Sequence, residues 1–214
     1  MPRIVDHERR RREIAEAAWA VINRSGTNAA SLQRIAAEIG STTGSVTHYF
    51  SNKEELISFT FDLVTKGAFE YIESAAMRAK PGLPRVRITL ERMAPTLFSG
   101  SDSGSAVLSY WGLAVSEPMY AHLHRKSYAI WEAMLRRFLR EASGLGQLSA
   151  NLNLDFEASI LMTFVDGLVV GGVLEPRRVT RAASRRMLGA MLSRLEASSC
   201  DTAARSPLEE IDKT

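Results

Sequence analysis

The stretch that decides the fold is SLQRIAAEIGSTTGSVTHYFSNKEELI, residues 31–57. Apolar residues recur in it at helical spacing in two short segments. Between the segments lies Gly40-Ser41-Thr42, in which a glycine ends one helix and a threonine caps the next. The positions predicted to face inward are Ile35, Ala36, Ile39, Val46 and Phe50. Two short helices joined by a tight turn form a helix-turn-helix, which presents its second helix to the major groove of DNA.

The outward face of the second short helix is small and polar. It consists of Thr43, Gly44, Ser45, Thr47 and His48. Short side chains let the helix backbone come close to base edges, threonine methyl groups can contact thymine methyl groups, and hydroxyl or imidazole groups can bond to bases or phosphates. Each residue taken alone also fits an ordinary solvent-exposed position. The ordered set predicts binding to double-stranded operator DNA.

The same stretch resembles the signature of the TetR family of transcription factors, roughly Gly-x-Ser-x-Gly-x-Leu-Tyr-x-Tyr-Phe-x-Ser-Lys-Glu-x-Leu. The positions that match in register, with Thr for Ser and Val for Leu, are Gly40, Thr42, Gly44, Val46, Tyr49, Phe50, Lys53, Glu54 and Leu56. One departure from the signature concerns a phosphate or packing contact, because the family commonly has tyrosine where this chain has Thr47.

The resemblance implies a role for each matching residue. Tyr49 and Lys53 match phosphate-contacting positions, and Ser31 and Thr42 match helix N-termini that approach phosphate. The groove-facing or base-reading positions are Thr43, Gly44, Ser45 and His48. The run at residues 9–12, four arginines, lies where relatives have an extension that can reach a groove; a solvated start of the first helix is the alternative.

Helical periodicity continues through the rest of the chain, so we predict an all-α fold of about nine helices. The predicted helices span about residues 6–25, 32–39, 43–49, 52–79, 85–98, 105–115, 117–142, 154–174 and 179–197. We expect a helix-turn-helix DNA-binding domain at 1–52, an effector-binding and dimerisation domain at 53–198, and a polar, disordered tail at 199–214.

Charge and cysteine content agree with this interpretation. Residues 1–53 carry eight Lys or Arg against five Asp or Glu, whereas residues 54–214 carry 19 of each. The excess positive charge therefore lies at the N-terminal end, where DNA would bind. A single cysteine, Cys200, excludes an intrachain disulfide and fits a cytoplasmic protein. The N-terminal residues are Arg-rich and polar and include no apolar stretch, so we expect no secretory signal.

The segment 154–174 is hydrophobic nearly all round, which a surface helix would not be. It is too short for a comfortable membrane span and holds Asp166 near its middle, so we expect a buried helix and no membrane association. In the TetR family the last two helices pair with their mates in a homodimer. The predicted interface residues are Ile160, Phe164, Leu168, Gly171, Met187 and Met191.

Aromatic residues in the middle helices predict a pocket for a small hydrophobic or cationic effector. The candidates are Phe98, Tyr110, Trp111, Tyr128, Trp131, Phe164 and Asp166. Ordinary core packing is the alternative for each aromatic residue, and a structural hydrogen bond is the alternative for Asp166. Tyr110-Trp111-Gly112-Leu113-Ala114 and Asp166-Gly167-Leu168 loosely resemble the choline-responsive BetI branch.

Two functions stay open at this point, a repressor released from a palindromic operator by a small molecule and a dimeric DNA-binding regulator without an effector. An enzyme is not expected, since no phosphate-binding glycine loop follows a strand and no His-Glu-x-x-His motif occurs. No cofactor is predicted. His122 and His124 are two residues apart and diverge on a helix, so no metal site is predicted either.

Overall fold

The structure is a computed structural model that describes residues 2–94 and 103–196. Phe98 and the predicted tail at 199–214 lie outside the described residues. Within these ranges the chain forms nine α-helices and no strand, which confirms the predicted all-α fold. They are α1 (Pro2–Ser25), α2 (Leu32–Glu38), α3 (Thr43–Thr47), α4 (Lys53–Met77), α5 (Leu83–Met93), α6 (Ser103–Ser116), α7 (Pro118–Gly144), α8 (Leu154–Leu174) and α9 (Arg181–Ser193).

Helix boundaries follow the local capping chemistry. Helix α8 has the predicted bounds, because the Asn153 side chain accepts the Phe156 N–H at its start. Helix α9 is shorter than predicted at both ends, and at its start the Thr180 side chain accepts the Ala183 N–H and caps the helix. The predicted 85–98 helix begins two residues early, since Pro84 is tolerated in a first turn.

The chain divides into two compact units that differ from the predicted domains. The first unit contains residues 2–71 and 103–131, and the second contains residues 72–94 and 132–196. Helices α4 and α7 contribute residues to both units. The first unit extends past residue 52, because α1, α2 and α3 bury their apolar faces in a core that they share with residues of α4, α6 and α7.

In the first unit that shared core is fully apolar and buried. Its members from the helix-turn-helix region match the predicted inward positions, except that Ile39 is only partly buried. The core combines residues of α1 and of the helix-turn-helix region with residues of α4, α6 and α7. Its members include Ile14, Ala18, Val21, Ile22, Ile35, Ala36, Val46, Phe50, Leu56, Ile57, Phe61, Ala106, Tyr110 and Tyr120. The orientation of the DNA-binding helices therefore depends on α4, α6 and α7.

In the second unit, α5 packs against α8 and α9. A Cβ at Gly171 of α8 would lie 2.7 Å from Val179 Cγ2, so only glycine allows this close approach. Of the described helices, α8 alone is long and apolar enough to cross a membrane by length and composition. A core helix of a soluble protein has the same composition, and α8 buries Leu161, Val165 and Leu168 within the chain.

Candidate nucleic-acid interface

Helix α2 and the following turn are built by local hydrogen bonds. The Ser31 side chain accepts the Arg34 N–H at 3.2 Å and caps α2. Gly40 ends the helix with φ of +63°, a left-handed conformation that favours glycine. The Ser41 N–H then donates to the Ala36 carbonyl at 2.8 Å. This turn sets the angle at which the next helix leaves.

Helix α3 carries the predicted recognition residues. The Thr42 side chain accepts the Ser45 N–H at 3.2 Å, and Val46 is fully buried beneath the helix. Of the five outward residues, Gly44, Thr47 and His48 are exposed, whereas Thr43 and Ser45 are half-buried. The inward and outward faces of α3 therefore agree with the sequence pattern.

Two details refine the α3 surface. The Thr47 hydroxyl donates to the Gly44 carbonyl at 3.1 Å, so its proton is engaged within the helix. A Cβ at Gly44 would meet only Thr42 Oγ1, at 3.9 Å. Packing within the chain therefore does not require glycine at position 44, whereas close approach of the backbone to an outside partner does favour it.

The two predicted phosphate contacts flank α3. The Lys53 side chain donates to the Asn28 carbonyl at 3.3 Å, which fixes its ammonium beside the loop that precedes α2. Tyr49 is half-buried, and its ring packs against His48 with centroids 5.1 Å apart. Both residues, like the other predicted DNA contacts, belong to the first unit.

The arginine run at residues 9–12 is largely engaged within the protein. The Arg11 guanidinium lies 4.5 Å from the Phe50 ring centroid and 4.6 Å from that of Phe59, and its Nη2 pairs with Glu55 at 3.1 Å. Arg9 pairs with Asp6 at 2.5 Å, and Arg10 pairs with Glu13 at 2.8 Å. Arg11 therefore joins α1 to the end of the recognition segment, a role the sequence did not predict.

Three of the predicted effector-pocket residues surround His124 in the first unit. The ring centroids of Tyr110, Trp111 and Tyr128 lie 6.3, 6.2 and 5.7 Å from that of His124. Burial, with a smaller contribution from Arg125, lowers the pKa of His124. The imidazole is therefore neutral at pH 7 and compatible with a neighbouring cation. Its spacing of four residues from Tyr128 on one helix face was the signal available in the sequence.

A stack of rings connects this cluster to the helices of the DNA-binding region. The Tyr110 ring stacks on Phe61 of α4 with centroids 4.1 Å apart, and Phe61 meets Trp19 of α1 edge-on at 5.5 Å. Burial raises the pKa of Tyr110 to about 12, so its phenol stays protonated. The phenol donates to the Tyr120 carbonyl at 3.4 Å. Neither Phe61 nor Trp19 was among the predicted pocket residues.

The remaining predicted pocket residues lie elsewhere. Trp131 contacts Phe69, with centroids 5.4 Å apart, and both line an open cleft of about 210 Å³. Phe164 and Asp166 belong to α8 in the second unit, and Asp166 has an interaction partner in the protein. Phe98 lies outside the described residues.

The predicted dimer-interface residues occupy different environments on α8 and α9. Leu168 is 4% exposed and Gly171 packs against Val179 of the same chain, so both serve packing within the protomer. Ile160, Phe164 and Met191 are half-buried, and Met187 is 38% exposed. The exposed side of α8, which we call the α8 stripe, consists of Phe156, Thr163, Gly167 and Leu174.

Comparison with known proteins agrees with this geometry. Residues 14–58 match the family model described as bacterial regulatory proteins, tetR family, and residues 84–196 match BetI-type transcriptional repressor, C-terminal. The transcriptional regulator PksA of Bacillus subtilis is 33% identical over 88% of this chain and 90% of its own length. The regulator BetI of Vibrio vulnificus is 24% identical over 91% of this chain and 96% of its own length.

Solved structures share the fold. A transcriptional regulator from Saccharomonospora viridis, in complex with choline, superposes with a TM-score of 0.79 at 22% identity, covering 87% of this chain and 96% of that one. The two family matches together span most of the described residues, and the N-terminal match contains the helix-turn-helix. The chain therefore belongs to the TetR family of bacterial transcriptional regulators, which are DNA-binding proteins and not enzymes.

Proposed function

We propose that this protein is a cytoplasmic repressor that binds a palindromic operator as a homodimer and is released by a small cationic effector. The observation that carries the proposal is the capped helix α3, whose outward face is small and polar and whose inward face is fixed by Val46. Such a helix can enter the major groove. Lys53 and Tyr49 beside it supply phosphate contacts.

The dimer is supported by the exposed side of α8. Phe156 is 63% exposed and Leu174 is 67% exposed, although the helix is apolar almost throughout. A partner helix would remove this surface from water. A two-fold dimer also presents two recognition helices to two half-sites of a palindrome. We therefore assign the interface to the α8 stripe, with Ile160, Phe164, Met187 and Met191 beside it.

The effector is supported by the rings around His124. Tyr110, Trp111 and Tyr128 present aromatic faces, which attract quaternary ammonium groups. The Saccharomonospora viridis regulator of the same fold holds choline. We propose a choline-like cation as the ligand, and Tyr110 as the residue that passes its effect to Phe61 and Trp19.

DNA binding is tested by selecting duplexes from a randomised pool with the wild-type protein and measuring affinity at several salt concentrations. Lys53→Ala and Tyr49→Phe should weaken binding to selected and random duplexes alike. Lys53→Ala should reduce the salt slope by about 0.9, the value for one lost phosphate contact. Thr43 and His48 variants should instead change which duplex is preferred.

Lys66→Ala is the matched control, because Lys66 lies on the same helix and pairs with Asp62 at 2.6 Å. It should leave affinity and salt slope unchanged. Unchanged unfolding midpoints in all variants would exclude destabilisation of the fold, including any caused by loss of the Lys53–Asn28 hydrogen bond, as the reason for weaker binding. A Lys53 variant that alters only sequence preference would contradict the assigned roles, and failure to select any duplex would contradict the proposed function.

A further inference from the structure

Three aromatic rings meet where the first turns of α1 pass the end of the recognition helix. The His7 ring centroid lies 4.8 Å from that of Tyr49 and 6.4 Å from that of His48. His48 and Tyr49 are themselves 5.1 Å apart with nearly perpendicular rings. The half-buried Tyr49 ring is therefore in contact with one imidazole from α1 and one from its own segment.

This ring cluster lies outside the core of the fold. His7 and His48 are both exposed, whereas the buried residues of α1 begin at Ile14. On α1 beside His7, Asp6 pairs with Arg9. Helix α3 itself carries no charged side chain. The contact between His7 and Tyr49 is thus not explained by burial of the core.

We propose that His7 is a positioning residue for DNA binding, which holds the Tyr49 ring in the orientation that contacts the phosphate backbone. The inference rests on the proposed function, because it assigns Tyr49 to DNA. A partly exposed tyrosine at a helix end loses side-chain freedom when it binds a phosphate, and a ring already held between two neighbours loses less. His7 thereby extends the functional surface to the first turns of α1.

The test uses the full-length protein and one duplex selected by the wild type. The variants are His7→Ala, His7→Phe, Tyr49→Ala and the His7→Ala/Tyr49→Ala double variant. A ring–ring contact of the usual strength predicts that His7→Ala weakens binding roughly 3- to 10-fold. His7→Phe keeps a ring and should bind within about twofold of wild type. The double variant should bind no more weakly than Tyr49→Ala, since His7 acts through Tyr49.

His122→Ala is the matched control, an exposed histidine on α7, and should bind as the wild type does. The thermal unfolding midpoint of His7→Ala should be unchanged, which excludes a purely structural effect. Wild-type affinity in His7→Ala overturns the inference. A His7→Phe variant that binds DNA as weakly as His7→Ala also overturns it. So does a double variant whose loss of affinity is the sum of the two single losses, because the imidazole then contacts DNA by itself. If the wild type selects no duplex, the proposed function fails and not this inference alone.

Discussion

At the residue scale, Glu55 connects three parts of the DNA-binding region. Its carboxylate accepts the Ser51 N–H at 2.8 Å and pairs with Arg11 of α1. The Asn52 side chain accepts the Glu55 N–H at 2.7 Å, which caps the start of α4. The Ser51 N–H above all, and Arg11 beside it, lower the pKa of Glu55.

We expect Glu55→Gln to reduce the free energy of unfolding at pH 7 by up to about 1 kcal/mol, because the pair with Arg11 is partly exposed. Because the pKa of this carboxyl is lower in the folded state, its contribution to stability is complete above the unfolded pKa of about 4.3. The contribution is lost as the pH falls through the folded pKa. The difference between variant and wild type in urea unfolding should therefore shrink from about pH 5 to pH 3.

Glu54→Gln is the control, since the neighbouring Glu54 side chain is exposed. It should leave the urea midpoint unchanged across the same pH range. A Glu55→Gln difference that persists undiminished at pH 3 would show that the carboxylate charge is not what stabilises this region.

At the scale of elements, two of the three glycines of α8, Gly167 and Gly171, have opposite roles. Gly171 is enclosed by Val179 of the same chain, whereas a Cβ at Gly167 would meet nothing within 4 Å. The protomer therefore tolerates a side chain at Gly167, but a partner helix on the α8 stripe would not. This contrast separates packing within the protomer from packing between protomers.

We expect the wild type to sediment at micromolar concentration as a dimer, at about twice 23.6 kDa. Gly167→Glu should raise the dimer dissociation constant at least about tenfold, because a two-fold interface would bury two unpaired carboxylates. Its helical content should stay that of the wild type. Sedimentation velocity over a concentration series measures the effect.

Gly67→Glu provides the comparison, since Gly67 is also an exposed helical glycine with nothing within 4 Å of a Cβ. It should remain dimeric. Equal dimer dissociation constants in all three proteins would contradict an interface on α8. A wild type that is monomeric at these concentrations would contradict that interface and also the basis for palindromic recognition.

At the scale of the whole molecule, an effector acts only if it binds the DNA-free state better than the DNA-bound state. The rings around His124 contact α4 and α1 through Tyr110, Phe61 and Trp19, so a ligand there can change how the DNA-binding helices are held. Coupling energies of about 1–3 kcal/mol are typical of such systems.

We expect choline at saturation to weaken the protein's affinity for the selected duplex by roughly 5- to 150-fold. Tetramethylammonium is titrated separately as a second cationic probe. By reciprocity the duplex should weaken choline binding by the same factor. Calorimetric titration of the free and DNA-bound protein measures both sides. Trp111→Ala should lose choline binding while keeping DNA affinity, because Trp111 lies among the rings around His124.

Trp131→Ala distinguishes the two aromatic regions, since Trp131 lines the separate cleft with Phe69. It should bind choline as the wild type does. Loss of binding in this variant alone would move the effector site to that cleft. A neutral hydrophobic compound that releases DNA where choline does not would contradict the cationic assignment.

The sequence by itself determined the features that depend on neighbours a few residues apart. The caps Ser31 and Thr42, the bounds of α8 and most inward positions of the recognition segment follow from helical period and capping chemistry. These interactions form between residues three or four apart, so the order of residue types specifies them. The family resemblance rests on the same local pattern.

Only the tertiary structure decided the features that depend on which helices meet. Arg11 finds Glu55 forty-four residues away, and no local pattern distinguishes it from the arginines beside it. An all-round apolar helix does not reveal which face its own chain covers, so Leu168 and Gly171 were predicted at a dimer interface but pack inside the protomer. His124 meets Tyr110 and Trp111, and His7 meets Tyr49, only when separate helices are brought together, because long-range packing selects these contacts.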